Sequence, residues 1–365
     1  MIALRAPVDL DDEHSPLHHP CDLPESGSPA LVVVVDTEEE FDWSAPFDRA
    51  GTAVGHMAAI GRVQDVFDAV GVIPSYLVSY AIVAHDAGYR PLEPYLAAGR
   101  AVIGAHLNPW TTPPHSEELS AANSYPGNLP RELEAAKLAA LARQIERALG
   151  VRPTLYKAGR YGKGPHTEAL LEEQGFEVDM SPAPAMDLSA DGGPDYARQS
   201  PRPFLFGRAR RLLCLPNTGA FVGCFHALGP VLHSTMQHPA LTRLHLPALA
   251  SRLGLLERLR LTPEGYTLAE MRRLTRALLA RGQRSFVVSL HSPSVVPGNT
   301  PYVRSEADLA LLLMRLRGYL AFFRDELRGR FVTPHGLKAE LEQLAPHRPR
   351  EQVGSESAAG ISPRK

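Results

Sequence analysis

The chain has 365 residues, 44% of them hydrophobic, with 38 Lys and Arg against 40 Asp and Glu, giving a net charge of -2. This composition is typical of an ordinary globular protein, and the balanced charge argues against a nucleic acid partner. Residues 1–29 and 346–365 are polar and lack periodicity. We therefore expect disordered tails on either side of a folded body at residues 30–345.

The cysteines and the N-terminus bear on the cellular compartment. Cys21, Cys214 and Cys224 have no CxxC spacing, and an odd count argues against a disulfide framework or a structural zinc cluster. The first residues, "MIALRAPVDLDDEHSP", lack the apolar core of a secretory signal. The sequence predicts a cytoplasmic protein.

Short apolar runs alternate with segments of helical periodicity along the folded body. The runs are continuous rather than alternating, which is typical of strands buried in a parallel sheet. The predicted strands are residues 31–35, 74–80, 101–106, 153–159, 176–180, 211–216 and 285–292. About seven β/α units predict an α/β fold with a closed or nearly closed (β/α) barrel. An open doubly wound sheet is the competing arrangement.

Several helix ends can be read from the sequence. Apolar residues at helical spacing precede Gly150, and glycine is common just after a helix. Thr267 with Glu270, and Ser305 with Asp308, have the spacing of a capping box.

One region departs from the alternation of strands and helices. Residues 212–242 contain no Asp, Glu, Lys or Arg, but prolines and polar residues interrupt the apolar pattern, which argues against a membrane contact. We expect a helical insertion at about residues 219–262 that packs on the mouth of the barrel.

Polar residues follow the predicted strands, whose C-terminal ends meet at one rim in such barrels. The first strand runs into "VVVVDTEEEFDW", which contains Asp36 and Glu38, and the third ends in His106 and Asn108. A buried strand that ends in several carboxylates is costly unless a cation or hydrogen bonds offset the charge.

Two more strands end in residues suited to catalysis. The fourth leads to Arg160 in "YKAGRYGKG", and the last leads to His291 in "SLHSPSVVPGNTPYV". An arginine can hold a carboxylate in a bidentate pair, and an imidazole can protonate a leaving group. With the carboxylates and His106, the set suits hydrolysis assisted by a divalent ion.

Two other hydrolase chemistries are alternatives. A glycosidase would need a pair of carboxyls at a defined separation, which a sequence does not supply. A serine hydrolase of the common type would need a GxSxG elbow, and the chain has none. Ser292 and Ser294 are interpreted as residues that hydrogen bond within their loop.

The sequence resembles the polysaccharide deacetylases of the NodB-homology class, and within it the WalW-type branch. The matching stretches are "VDTEEEFDWSAPFDR", "IGAHLNPWTTPP", "NSYPGNLP", "YKAGRYGKG", "VDMSPAP" and "HSPSVVPGNTPYV", which extend over about residues 31–340. The resemblance implies a distorted (β/α)7-type barrel and metal-dependent removal of acetyl from an N-acetylated sugar or polysaccharide, or a related amide hydrolysis.

Carried over to matching positions, the resemblance also implies residue roles. Asp36 would be the catalytic base, Arg160 would orient it, and His291 would be the acid. The implied metal ligands are Glu38, His106 and Asn108, and the implied substrate-binding residues are Trp110, Tyr161 and Asp179. The implied cofactor is a divalent metal, zinc in the first place, with Co, Ni, Mn or Mg as alternatives.

The chain departs from the family pattern at two positions. Thr37 separates Asp36 from Glu38 where the family has adjacent aspartates, and Asn108 replaces the second metal histidine, since "HLNPW" stands where relatives of this branch have "HLHPW". Asn is a poorer ligand than imidazole for first-row transition metals. His115, Glu39 and Glu40 are candidates to complete the site. Two hypotheses follow: an active metal-dependent amidohydrolase acting on a carbohydrate, or a catalytically impaired barrel that binds carbohydrate or a partner.

Overall fold

A computed structural model describes residues 18–43, 45–207, 211–236 and 246–344. The strands are β1 (His19–Pro20), β2 (Ala30–Thr37), β3 (Ser75–Val78), β4 (Val102–Leu107), β5 (Leu155–Ala158), β6 (Val178–Asp179), β7 (Phe204–Phe206), β8 (Leu212–Cys214), β9 (Gly219–Val222), β10 (Glu257–Arg260), β11 (Ser285–His291) and β12 (Arg330–Phe331). The α-helices are α1 (Gly61–Asp68), α2 (Tyr80–Ala84), α3 (Asp86–Tyr89), α4 (Glu93–Ala97), α5 (Arg131–Leu149), α6 (Thr167–Glu173), α7 (Gly229–Met236), α8 (Leu246–Arg252), α9 (Leu268–Ala280), α10 (Glu306–Ala321) and α11 (Pro334–Leu344).

A parallel sheet forms the centre of the molecule, in the order β11-β2-β3-β4-β5-β6-β8. These seven strands coincide with the seven predicted ones, so the strand assignment is confirmed. All eight residues of β2 are buried, as expected for a strand covered on both faces.

The two faces of the sheet pack against different partners. On β2, Leu31 and Val33 face a large apolar cluster shared with the surrounding helices. Val32 and Val34 face a smaller interior cluster, which includes Leu337 of the C-terminal helix α11. This smaller cluster also contains Leu213 of β8 and Val287 of β11, from opposite ends of the strand order, so the sheet curls around it as in a barrel.

A small hairpin sheet joins the open side of the curled sheet at β11 through a backbone hydrogen bond. Beyond β8 the sheet continues with the antiparallel strands β7 and β1. The hairpin sheet is the antiparallel pair β9 and β10. Leu261 donates its N–H to the carbonyl of Thr218 at 2.8 Å, and Ser289 donates to the carbonyl of Leu261 at 3.3 Å. This bridging agrees with a distorted, nearly closed (β/α) barrel.

The predicted helix ends are confirmed. Helix α5 stops at Gly150, which has a φ of 68° in the left-handed region. Thr267 and Glu270 form both hydrogen bonds of a capping box at α9, and the Ser305 hydroxyl accepts from the N–H of Asp308 at α10.

The N-terminal segment differs from the expectation of a disordered tail. Residues 18–29 lie against the barrel, where β1 pairs with β7 and Leu23 is buried. The Asp22 carboxylate accepts from the Arg284 N–H at 2.9 Å and from the Ser285 hydroxyl at 2.7 Å. Composition failed here because the stabilising contacts are made to residues far along the chain. Residues 1–17 and 345–365, including the predicted C-terminal tail, lie outside the described residues.

The segment expected to be a helical insertion contains both helices and strands. Helices α7 and α8 are flanked by β9 and β10, and residues 237–245 lie outside the described part. The hairpin sheet places the end of β10 beside the carboxyl ends of the barrel strands. In the described residues, no helix combines the length and apolar character needed to cross a lipid bilayer.

Candidate active site

Four strands deliver polar side chains to one level of the barrel. Asp36 of β2 is in register with His291 of β11, and His106 of β4 is in register with Lys157 of β5. Parallel pairing explains why residues this far apart in sequence meet, because the carboxyl ends of parallel strands share one rim.

Asp36 forms a buried ion pair with Lys157. The Lys157 Nζ lies 2.8 and 2.6 Å from the two Asp36 oxygens, and it also donates to Asn217 Oδ1 at 3.1 Å. Burial alone would raise the pKa of Asp36, but Lys157, His106 and His291 outweigh it and hold that pKa below its usual value. Asp36 is therefore an ionised carboxylate at neutral pH.

Arg160 lies elsewhere than the resemblance implied. Its guanidinium forms an ion pair with Asp191, donates to the Ser124 hydroxyl at 2.7 Å and stacks over the Tyr125 ring at 4.2 Å. The cation that orients Asp36 is instead Lys157, from the same "YKAGRYGKG" stretch. A lysine inside an otherwise apolar buried strand was the signal in the sequence, since such a charge needs a partner.

His291 is held by Glu264, a residue that the sequence analysis did not select. Glu264 Oε2 lies 2.7 Å from His291 Nδ1, which leaves Nε2 facing the carboxylates, 3.9 Å from Asp36 and 4.0 Å from Glu38. Burial opposes protonation, but Glu264 outweighs it and, with Glu38 and Asp36, raises the pKa of His291 to about 10. His291 is thus a positioned imidazolium whose Nε2–H faces the site, as a general acid requires.

The three implied metal ligands are adjacent but interact with each other. His106 Nε2 lies 3.3 Å from Glu38 Oε2. The Asn108 amide nitrogen donates to Glu38 at 3.1 Å and to Glu39 at 3.2 Å. Burial raises the pKa of Glu39, and the charge of Glu38 raises it further. The sequence suggested that a cation offsets the negative charge of these carboxylates. In the structure, hydrogen bonds from the neutral Asn108 amide contribute to this instead.

This donor set does not fit the metal site that the resemblance implied. Asn108 presents its amide nitrogen, which is no metal ligand, to the carboxylates, while its Oδ1 is buried without a hydrogen bond partner. The Nδ1 of His106 also lacks a partner, although metal-bound histidines almost always donate through their other nitrogen. Within the described residues, no group of three or more His, Cys, Asp or Glu side chains is placed to hold a metal.

The residues suggested as replacement metal ligands, Glu39, Glu40 and His115, do not complete a metal site. Glu39 accepts hydrogen bonds from Ser79 at 2.7 Å and from Thr111 at 3.1 Å, in addition to Asn108. Glu40 accepts from the His56 ring at 3.0 Å, and His115 is exposed. The expected ligand set is corrected accordingly: the arrangement is a hydrogen-bonded polar network.

A serine, a histidine and a glutamate form a chain beside this network. The His56 ring bridges Glu40 and Ser292, with His56 Nε2 2.8 Å from the Ser292 hydroxyl oxygen. The order resembles a hydrolytic triad, yet Ser292 is fully buried and its oxygen accepts the Glu38 N–H at 3.2 Å. It therefore fixes the backbone at the end of β2, consistent with the interpretation of Ser292 as a loop hydrogen bonder.

Of the three residues that the resemblance implied for substrate binding, two lie away from the mouth of the site. Trp110 is 2% exposed and packs on Phe47 with ring centroids 4.8 Å apart, and Asp179 is fully buried beside Lys163 at 3.0 Å. Neither reaches the mouth of the site. Tyr161 is partly exposed there.

Two aromatic residues that the sequence analysis did not select line the mouth. Trp43 is 39% exposed and meets His291 edge to face at 5.1 Å, and Tyr302 is 37% exposed and contacts Trp43 at 5.8 Å. Beside them is a cleft of about 510 Å³ whose walls include Trp43, Thr300 and Arg304. This volume is in the range of small-molecule sites.

Comparison with known proteins supports the fold. No model of a known protein family matches the sequence, and no curated protein matches it. Among solved structures, one assigned as a polysaccharide deacetylase from Mycobacterium smegmatis is similar, with a TM-score of 0.53, 18% identity and coverage of 91% of this chain and 98% of that chain. The Puue allantoinase has a TM-score of 0.53 at 13% identity, covering 95% and 100%.

A third similar structure, assigned as a polysaccharide deacetylase from Pseudomonas aeruginosa PAO1, has a TM-score of 0.50 at 13% identity, covering 87% of this chain and 92% of that one. At these identities the likeness concerns the fold. It agrees with the resemblance in the sequence motifs, while the WalW-type branch remains a prediction. The chain has the fold of the polysaccharide deacetylases.

Proposed function

We propose that this protein is a hydrolase that cleaves the C–N bond of an N-acetylated or otherwise N-acylated sugar. The observation that carries the proposal is the pairing of an ionised Asp36 with a protonated His291 whose Nε2 lies 3.9 Å from it. Groups at this separation can share a water molecule. A protein that only binds its ligand has no chemical need for a carboxylate base and an imidazolium acid at one rim.

The reaction needs few groups. A water molecule attacks the acyl carbonyl carbon, Asp36 accepts the water proton, and His291 Nε2 donates a proton to the departing amine nitrogen. The products are a carboxylate and an amine. Lys157 keeps Asp36 oriented, and Glu264 fixes the ring of His291.

The mouth supports a carbohydrate as the substrate class. The exposed Trp43 ring offers a flat apolar surface beside the acid, and the adjoining cleft of about 510 Å³ is large enough for a sugar unit. Because one similar structure is an allantoinase, allantoin belongs in the substrate panel as a second amide-type compound.

The second candidate function is binding without turnover. The position of Asn108 favours it, because its amide occupies the carboxylate cluster where the resemblance implied a metal ligand. Such a barrel would retain the aromatic mouth and bind carbohydrate or a partner.

Hydrolysis distinguishes these functions, measured as acetate release from the N-acetylated sugars and as opening of the ring for allantoin. The panel is oligomers of N-acetylglucosamine, a second N-acetylated sugar and allantoin, each tested with chelator, without additions and with Zn²⁺ or Co²⁺. We expect hydrolysis by the wild type and a loss of about 10²–10⁴ in turnover in His291→Ala, the usual effect of removing a general acid. His226→Ala, a change at an exposed histidine near Gly223, should leave turnover unchanged. Saccharide binding without hydrolysis under every condition would establish the second function.

A further inference from the structure

The mouth of the site carries an arginine that belongs neither to the sequence motifs nor to the acid and base. Arg260 is the last residue of β10, and its guanidinium donates to the hydroxyl of Tyr161 and lies 5.1 Å from the centroid of that ring. Both side chains are partly exposed at the rim. They are therefore accessible to a ligand.

The charge of Arg260 has an unusual partner. Buried or half-buried guanidinium groups generally pair with carboxylates, whereas Arg260 contacts the phenol of Tyr161, and Tyr161, Tyr266 and Tyr302 help to raise its pKa against the effect of burial. Lys157 Nζ also lies over the Tyr161 ring, 5.2 Å from its centroid. The Tyr161 hydroxyl thus lies in a positive environment.

The proton affinity of Tyr161 agrees with this environment. Burial alone would raise the pKa of Tyr161, but Arg260, Lys157 and His291 outweigh it and lower that pKa. A phenol polarised in this way is a stronger hydrogen bond donor to a negatively charged oxygen.

The backbone that presents Tyr161 is strained. Arg160 and Tyr161 have φ values of 53° and 60°, in the left-handed region that is unfavourable for residues other than glycine. Such strain persists where the surrounding structure enforces it, and it concentrates at functional sites. Here it turns Tyr161 towards β10 and the acid and base.

We propose that Arg260 and Tyr161 form an oxyanion-binding pair that takes the carbonyl oxygen of the scissile amide as negative charge develops on it. The inference rests on the proposed function for its role in turnover, but the site itself binds a small oxyanion whether or not turnover occurs. It supplies the charge stabilisation that Glu38, His106 and Asn108, as arranged, do not provide.

The test uses methylphosphonate, a tetrahedral oxyanion, with tryptophan fluorescence as the signal. The sequence has two tryptophans; Trp43 lies at the mouth and Trp110 is buried. We expect saturable binding by the wild type, weakened about tenfold or more in Arg260→Met and in Arg260→Gln, the range for loss of a charge-assisted hydrogen bond. Arg276→Met, at an exposed arginine paired with Glu326, should bind as the wild type does.

Kinetics provide the second measurement. In a folded Arg260 variant, kcat on the active substrate should fall by about 10²–10³ with little change in KM, as for an oxyanion-hole donor. Wild-type methylphosphonate affinity in either folded variant, or unchanged kcat, overturns the oxyanion pair while leaving the hydrolase proposal intact. If methylphosphonate binding depends on Arg260 but the wild type hydrolyses no substrate, the hydrolase proposal is overturned and the anion site stands.

Discussion

Replacing Lys157 with methionine should destabilise the protein strongly, because it leaves Asp36 charged and buried without its main partner. Each side chain of the pair is at most 2% exposed, and the Lys157 Nζ contacts both Asp36 oxygens at 2.6 and 2.8 Å. Breaking a buried pair by removal of one partner costs about 3–5 kcal/mol. We expect a loss of that size in the free energy of unfolding of Lys157→Met at neutral pH.

Urea denaturation followed by circular dichroism measures this loss. The sign of its pH dependence follows from Asp36: the folded-state pKa of this carboxyl is lowered in the wild type, so the pair stabilises the fold above the ordinary carboxyl pKa. That stability is lost as the pH falls and Asp36 takes up a proton. The deficit of Lys157→Met should therefore shrink towards acidic pH.

A double-mutant cycle checks that the effect belongs to the pair. Asp36→Asn combined with Lys157→Met should be more stable than the sum of the two single losses predicts, with a coupling of about 1–3 kcal/mol. The surface pair of Arg90 and Asp86 is a matched control, since its side chains are 64% and 63% exposed, and Arg90→Met should leave the free energy of unfolding nearly unchanged. Additive losses, or a Lys157→Met loss as small as the control, would refute the reasoning.

Two further changes test the interior. Asn108→His should yield a chain that retains about one Zn²⁺ per molecule after dialysis while the wild type retains none, as measured by elemental analysis; equal retention would contradict the role of the Asn108 amide. Burial raises the pKa of Glu134 from 4.5 to about 7. The contribution of protonated Glu134 to the free energy of unfolding is therefore present at low pH and is lost as the pH rises through about 7, a change of at most about 3 kcal/mol. Glu134→Gln should flatten this decline in urea unfolding at about pH 5 and about pH 8, and an unchanged pH slope would assign it to other groups.

Local patterns in the sequence determined the elements of the fold. Continuous apolar runs gave the seven parallel strands, Gly150 gave the end of α5, and the pair Thr267 and Glu270 gave the start of α9. These features depend on the periodicity of apolar residues and on contacts within a few residues, so they can be predicted from the sequence. The strand ends also identified Asp36 and His291 as neighbours, because parallel pairing brings such positions together.

The tertiary structure decided which partners those residues have. Lys157 rather than Arg160 orients Asp36 across 121 positions of sequence, and Arg260 reaches Tyr161 across 99. Two cations that lie three residues apart cannot be ranked by pattern, since strand pleat and the left-handed turn at Arg160 set their directions. In the same way, only the surrounding carboxylates decide whether an asparagine at position 108 presents its oxygen to a metal or, as here, its nitrogen to Glu38 and Glu39.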